Sequence, residues 1–517
     1  MVMARQDGRR TVTRRGALLG AVAAGLTAAP ALSRPSAAME GADGNALFAA
    51  LDQKITEGME RYAVPGAAAG VIWNGRSYLR GYGVTDVSNP QPVDADTLFR
   101  IASVTKTFNG TAAMRLVDQG RLALDGRVDS YVGDFVAPAG AQGVTVRQLL
   151  DHTAGWLGDD FHDTGSDDGA LARYVRDIRN LPQLTPVGEV FSYSNSALGC
   201  AGRVIETVTG LTYETAVEQL VFEPLGMSRS AYAATPDGLD NLAMPHSVGE
   251  DGRAVVNPGY FDVPRDNNPF GGQSLSSVRD LLSFARFHLG DGRAADGRRV
   301  MSLAALRGMW STPGPGGTVG TELIGMGVSW QVRPTAEGVV VVQHGGNTEG
   351  YNTFLMLVPA QRLALVLLTN GDGGGRLTTD LFTKGWALRH FAGLGNLPAP
   401  PRSLSASELA QYEDQYTAEV IDYNKPAQSF DLQLTGLPDG TLRLMPAGSD
   451  TKTVLAFYTD DYVINETNGV RSDFLRDGSG AVAWLRYGGW LYRRGGSQPQ
   501  EPVAAPSDDE LLPDYAA

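Results

Sequence analysis

Apolar residues recur four apart at Leu47, Leu51, Ile55 and Met59, which predicts an amphipathic helix over residues 47–61. The period then drops to strand-like, and Asn74-Gly75 joins two runs, 67–73 and 77–84, into a hairpin. Asn-Gly is a strong hairpin signal because both residues tolerate positive φ. Helical spacing prevails from Ser103 to about Leu225, interrupted by an acidic, polar loop over 158–169 that reads as solvated. A further helix over 277–289 precedes a three-strand meander: 327–332, 338–343, and 352–357 continuing through 363–368. A helix over about 377–391 closes this part.

Leu397-Pro-Ala-Pro-Pro-Arg is a proline-rich spacer, and the pattern changes beyond it. Seven short alternating runs follow, at 430–434, 442–445, 454–458, 462–465, 472–475, 481–486 and 490–493. Asp439-Gly440, Asn468-Gly469 and Asp477-Gly478 supply turns between them, so a β-meander closing as a small barrel or sandwich is expected. The chain thus divides into an α+β domain over 39–396, a linker over 397–404, an all-β domain over 405–495 and an acidic tail over 496–517.

Residues 1–38 read as an export signal. Arg9, Arg10, Arg14 and Arg15 precede a weakly apolar run and then the small residues Ser36, Ala37 and Ala38. Thr13-Arg14-Arg15 resembles a twin-arginine signal, with Ala17 where that pattern prefers a bulky apolar residue. The run contains Gly20, Gly25 and Pro30 and is too weak for a membrane anchor. Periplasmic or secreted location is therefore expected, without stable membrane insertion. The net charge of −14 disfavours nucleic acid as a partner, since that needs a basic footprint. Cys200 is the only cysteine, which excludes an intramolecular disulfide and a Cys-based metal site.

Only five lysines occur, so a lysine in a catalytic pattern is informative. Lys106 is one. In Ser103-Val104-Thr105-Lys106, spacing of three on a helix puts hydroxyl and ammonium on one face, about 5–6 Å apart at Cβ. Val104, Phe108, Ala112 and Leu116 form an apolar stripe, and Gly120 is a natural terminator. A serine at a helix start meets the positive end of the macrodipole, and an adjacent lysine can take its proton. Ser449 and Lys452 repeat the spacing in a β-hairpin with no helix around them, so the spacing alone does not mark a site.

Two further segments single out Ser103. Tyr193-Ser194-Asn195 opens a helix carrying Leu198, Val204, Ile205 and Val208. Tyr193 can serve as general base if Lys106 lowers its pKa from about 10, and Asn195 can orient a substrate carbonyl or the lysine. An N-cap with a packed tyrosine is the bland reading of the same residues. His344-Gly345-Gly346-Asn347 ends an apolar strand, where glycines let a substrate backbone lie along the edge. The Asn347 N–H can join that of Ser103 as an oxyanion hole, although a simple glycine turn also fits.

These three segments, in this order, resemble the motifs of the serine β-lactamase and penicillin-binding protein superfamily, specifically its class C-like branch with a tyrosine in the second motif. Thr97-Leu-Phe-Arg-Ile-Ala-Ser, Arg147-Gln-Leu-Leu-Asp-His-Thr-Ala-Gly, Phe222-Glu-Pro-Leu-Gly-Met and Gly271-Gly-Gln-Ser-Leu-Ser-Ser resemble that branch too, over about 43–395. The resemblance implies an antiparallel sheet flanked by helices with a mainly helical subdomain. It also implies Ser103 as acyl-accepting nucleophile, Lys106 as proton acceptor or electrostatic partner, Tyr193 as base and Asn195 as a substrate-amide contact. His344 stands where β-lactamases usually carry a lysine for the substrate carboxylate, and a histidine is only partly charged near neutrality. The chain is similar instead to relatives acting as D-aminopeptidases, other peptidases or esterases, some with a lipocalin-like C-terminal domain.

The expected activity is hydrolysis of a peptide, amide or ester through a Ser103 acyl-enzyme, on a small-molecule or peptide substrate and without cofactor. A β-lactamase or D-alanyl-D-alanine carboxypeptidase is the alternative within the enzyme class. A non-catalytic scaffold or peptidoglycan-binding module is the alternative outside it, and intact Ser103, Lys106 and Tyr193 speak against that. His152 and His162 lie among Asp151, Asp159, Asp160 and Asp163, but their spacing matches no metal-ligand motif. No Gly-x-Ser-x-Gly elbow occurs, which argues against an α/β-hydrolase.

Overall fold

The computed structural model describes residues 44–421, 427–449 and 451–495. The export signal and the acidic tail expected from the sequence lie outside these residues. The longer elements of the first part are α1 (Gly44–Tyr62), β1 (Gly66–Trp73), β2 (Arg76–Gly83), α2 (Thr105–Asp118), α3 (Asn195–Thr209) and α4 (Val278–Leu289). There follow β3 (Gly325–Met326), β4 (Gln331–Pro334), β5 (Val340–Thr348), β6 (Tyr351–Val358) and β7 (Leu363–Thr369).

The seven strands form one antiparallel sheet in the order β3-β4-β5-β6-β7-β1-β2. This sheet is the middle layer. β1 is buried along its whole length. Its Ala67, Ala69 and Val71 join one core with Phe48, Leu51 and Ile55 of α1, while Ala68 and Ile72 join the larger core shared with α2, α3 and α4. Period-2 alternation thus feeds two cores from one strand.

Three sequence expectations change. The run 352–368 is two strands rather than one, because Pro359–Gln361 forms a 3₁₀ turn and Arg362 takes φ +50°. The helix expected over 377–391 is broken at Gly385, with a separate helix at Trp386–Ala392. The acidic loop is solvated only in part, since Asp159 and Asp160 are buried.

Beyond the spacer, eight strands form a closed barrel: β8 (Asp414–Val420), β9 (Gln428–Gly436), β10 (Leu442–Pro446), β11 (Thr453–Thr459), β12 (Tyr462–Asn465), β13 (Arg471–Arg476), β14 (Val482–Tyr487) and β15 (Trp490–Arg494). Closure comes from β8, where Tyr416 and Thr417 pair with Arg494 and Arg493. The polar composition of β8 left it out of the seven expected strands.

The barrel docks through buried charge. Arg471 pairs with Glu322, which also accepts the Tyr458 hydroxyl at 2.9 Å. Asp473 pairs with Arg486 at 2.9 Å and accepts the Thr318 hydroxyl at 2.6 Å. Burying these charges is expensive unless each is paired in one geometry, so the junction favours a single docking arrangement. Among the described residues no helix is long and apolar enough to cross a membrane.

Candidate active site

Helix α2 is buried nearly all round, and several of its polar side chains donate to nearby carbonyls. Thr107 and Thr111 donate to the carbonyls of Val104 and Thr107, and Asn109 donates to those of Leu198 and Pro269. Such a helix costs hydration unless its polar groups are paired, so the fully buried cation Lys106 stands out. Ser103 lies just before α2, in a 3₁₀ turn spanning Ala102–Val104. Ala102 there takes φ +45°, a left-handed conformation costing about 1–2 kcal/mol for a residue with a Cβ. The Thr105 hydroxyl donates to the Ala102 carbonyl at 2.6 Å and braces the turn.

Lys106 is fully buried, and its Nζ donates to Ser103 Oγ at 2.9 Å and to the Phe270 carbonyl at 2.7 Å. It also lies 5.0 Å from the centre of the Tyr193 ring. Burial drives its pKa well below that of a free lysine, and Asp159 alone opposes that shift. An amine so desolvated can stand neutral beside a hydroxyl and accept its proton.

Tyr193 precedes α3, whose N-cap Ser194 accepts the Ala197 N–H at 3.1 Å. Burial raises the Tyr193 phenol above its ordinary value; the Ser103 hydroxyl lies against it and pulls its pKa down, while Asp159 raises it further. Lys106 does not offset this. The Tyr193 ring stacks on His152 at 4.5 Å, meets Trp490 edge-on at 5.3 Å and lies 6.3 Å from the His344 ring. Asn195 opens α3, and its Nδ2 donates to Asp159 Oδ1 at 2.7 Å.

His344, Gly345, Gly346 and Asn347 all lie inside β5, so the glycines do not form a turn. β5 pairs with β4 only as far as Gln343, after which that edge runs past the serine. A Cβ on Gly346 would stand 2.3 Å from the Ile101 carbonyl oxygen and 3.1 Å from the Ser103 nitrogen. Only glycine allows this approach. Gly346→Ala is expected to lower kcat/KM by at least about 10²-fold with secondary structure retained, because small displacements of a nucleophile are costly. Ester hydrolysis beside circular dichroism checks this, and a near-native rate would show that the strand edge does not bound the serine turn.

The His344 imidazole is fully buried and pushed down to about 3 by burial and by Lys106, so it is neutral. Its Nδ1 lies 2.7 Å from the Gly345 carbonyl, and Nε2 has no partner. The Asn347 side chain is occupied by Asn352, at 2.5 Å from Nδ2 to Oδ1. The structure therefore brings Ser103, Lys106, Tyr193, Asn195, His344 and Gly346 around one point.

Three contributors escaped the sequence reading: His152, Asp159 and the β14–β15 hairpin. His152 Nδ1 accepts the Ser194 N–H at 2.8 Å, and burial keeps its ring neutral. Gly488 and Gly489, at φ +65° and +102°, make the two-residue turn that presents Trp490 to Tyr193. The Gly489 carbonyl accepts the Tyr193 N–H at 2.9 Å, which ties the barrel directly to the turn before α3. The paired glycines between two strands were the available signal.

His162 lies apart from this cluster, bonded to Asp160 at 2.6 Å and stacked on Tyr174. Among the described residues no group of three or more His, Cys, Asp or Glu side chains is placed to hold a metal ion. The second Ser-x-x-Lys pair is inert in form, since the Ser449 hydroxyl accepts the Thr451 N–H and Lys452 is exposed.

A family model described as Beta-lactamase matches residues 51–386. Penicillin-binding protein 4 of Amycolatopsis lactamdurans is 35% identical over 356 residues, 67% of this chain and 92% of that protein. Unguisins hydrolase ungD' of Aspergillus campestris is 28% identical over 344 residues, 62% of each chain. Among solved structures, SurE with D-Leu superposes with a TM-score of 0.66 at 25% identity, covering 87% of this chain and 100% of that one. A family model spanning most of the chain leads to one conclusion: this protein belongs to the β-lactamase family, whose members are serine hydrolases.

Proposed function

We propose that the protein is an exported hydrolase that transfers the acyl group of a peptide, amide or ester to water through an acyl-enzyme on Ser103. The observation that carries this reading is the Ser103 hydroxyl bonded by Lys106 Nζ at 2.9 Å with the Tyr193 phenol beside it. With substrate bound, the neutral Lys106 amine takes the Ser103 proton as Oγ attacks the acyl carbon. Tyr193 then passes a proton to the leaving group and recovers it from Lys106. Water attacks the ester by the reverse route. The backbone N–H groups of Ser103 and Asn347 receive the oxyanion, each such donor being worth about 2.7–4 kcal/mol.

The neutral His344 supports amide or ester donors without a carboxylate at that end, in place of the anionic drugs that β-lactamases take. The SurE structure with D-Leu supports including D-configured residues among the donors. The likeness to a penicillin-binding protein favours the second reading, a β-lactamase or D-alanyl-D-alanine carboxypeptidase. A p-nitrophenyl ester, a D-amino-acid p-nitroanilide and a chromogenic cephalosporin separate the two. The ester and the anilide are expected to turn over faster than the cephalosporin. Cephalosporin turnover well above both would establish the second reading instead. No turnover of any kind would favour a non-catalytic scaffold.

A further inference from the structure

Asp159 is a carboxylate buried at the centre of this site, and the proposed chemistry does not yet use it. It stands in the segment just after the motif 147–155, with its side chain turned inward rather than toward solvent. One oxygen accepts the Asn195 Nδ2 at 2.7 Å. The barrel closes over it from two directions. The Ile421 N–H donates to the Asp159 carbonyl at 2.9 Å, and the Phe161 N–H donates to the Ile421 carbonyl at 2.7 Å, pinning the loop on both sides. The Trp490 indole N–H approaches the Asp159 carboxylate without completing a well-formed hydrogen bond and has no other partner.

Resting on the Ser103 reading, we propose that Asp159, sealed under the barrel's Ile421 and Trp490, is a positioning residue that fixes the Asn195 amide and balances the charge of Lys106. A carboxylate accepting from Asn195 leaves the amide one orientation, which aligns whatever the amide then presents to substrate. Its negative charge also acts on Lys106 through a dry interior, where Coulomb interactions are several-fold stronger than in water.

The surrounding groups support this balance. Among the described residues Lys106 is the cation that acts on Asp159. Asp160 opposes ionisation from the same loop but is itself bonded to His162. Tyr193 before α3, Tyr174 behind the loop and Tyr492 on β15 also feel the Asp159 charge, and each is raised. His152 and His344 face Lys106 from the other side and are neutral. Burial holds Asp159 at about 6, so it is ionised above that pH. Ionised, it raises the Lys106 pKa. The sign follows: removing the charge makes Lys106 lose its proton at lower pH.

The test compares wild type with Asp159→Asn, Asp159→Ala and Asn195→Ala in the full chain. Ester hydrolysis is followed across pH, and active sites are titrated with a serine-directed fluorophosphonate. Asp159→Asn keeps an acceptor for Asn195 but loses the charge. Its kcat/KM limb attributed to Lys106 is expected about one unit lower, with KM near that of wild type. Asp159→Ala is expected to shift the limb similarly and also to raise KM several-fold. Asn195→Ala is expected to raise KM while leaving the limb in place. An unshifted limb in both Asp159 variants, with Ser103 labelled in wild type, would overturn this proposal alone. Absence of Ser103 labelling in wild type would overturn it together with the hydrolase reading.

Discussion

Ser103→Ala is expected to lower kcat/KM for the best ester or amide substrate by at least about 10⁴-fold, with the melting temperature unchanged within a few degrees. The size follows from what the hydroxyl does. Among the described residues it is the hydroxyl bonded by Lys106 with Tyr193 beside it, so in the proposed reaction the groups left without it can only polarise a bound carbonyl. Residual rate over water then comes from substrate binding and the oxyanion donors. Residues acting as one unit lose their effect together, so adding Lys106→Ala to Ser103→Ala is expected to cost little more. Steady-state kinetics on the single and double variants check this. Equal rates for wild type and Ser103→Ala would remove the nucleophile.

The second large effect is expected at Lys106. Lys106→Ala and Lys106→Arg should each lower kcat/KM by about 10³-fold, because both remove an amine able to accept a proton. Arginine tests charge against basicity. Its guanidinium stays protonated at any working pH, so it can attract an alkoxide but cannot take the serine proton. Wild-type kcat/KM should rise with pH as the ammonium ionises, over a range below that of an ordinary lysine because the side chain is wholly buried. That limb should vanish in both variants. Near-native activity in Lys106→Arg would mean that positive charge alone suffices.

Much of this architecture was legible in the chain because it depends on local periodicity. The α1 stripe and the Asn74-Gly75 hairpin follow from side-chain spacing within one element. The barrel strands after the spacer were readable for the same reason, except β8, whose polar residues mask its alternation. Ser103 and Lys106 were readable as a pair because a helical turn brings them together.

The rest of the site depends on contacts between distant segments. Asp159 looked like one of several loop acids until Ile421 and Trp490 covered it. Trp490 lies nearly three hundred residues beyond Tyr193, and no local pattern announces their 5.3 Å contact. The glycines of β5 were ambiguous for a similar reason. A turn and a strand edge pressed against another segment both call for glycine, and only the 2.3 Å clearance at Gly346 distinguishes them. The same limit applies to Tyr193, whose phenol is raised by burial that spacing does not reveal.

A Ser103 nucleophile requires that an acyl ester form on its Oγ during turnover. Rapid quenching of the wild-type protein during turnover of an activated ester, followed by intact-mass measurement and peptide mapping, tests it most directly. One added acyl group per chain is expected, located on the peptide containing Ser103 and absent from Ser103→Ala. Turnover with an adduct on another residue, or an adduct that persists in Ser103→Ala, would contradict it.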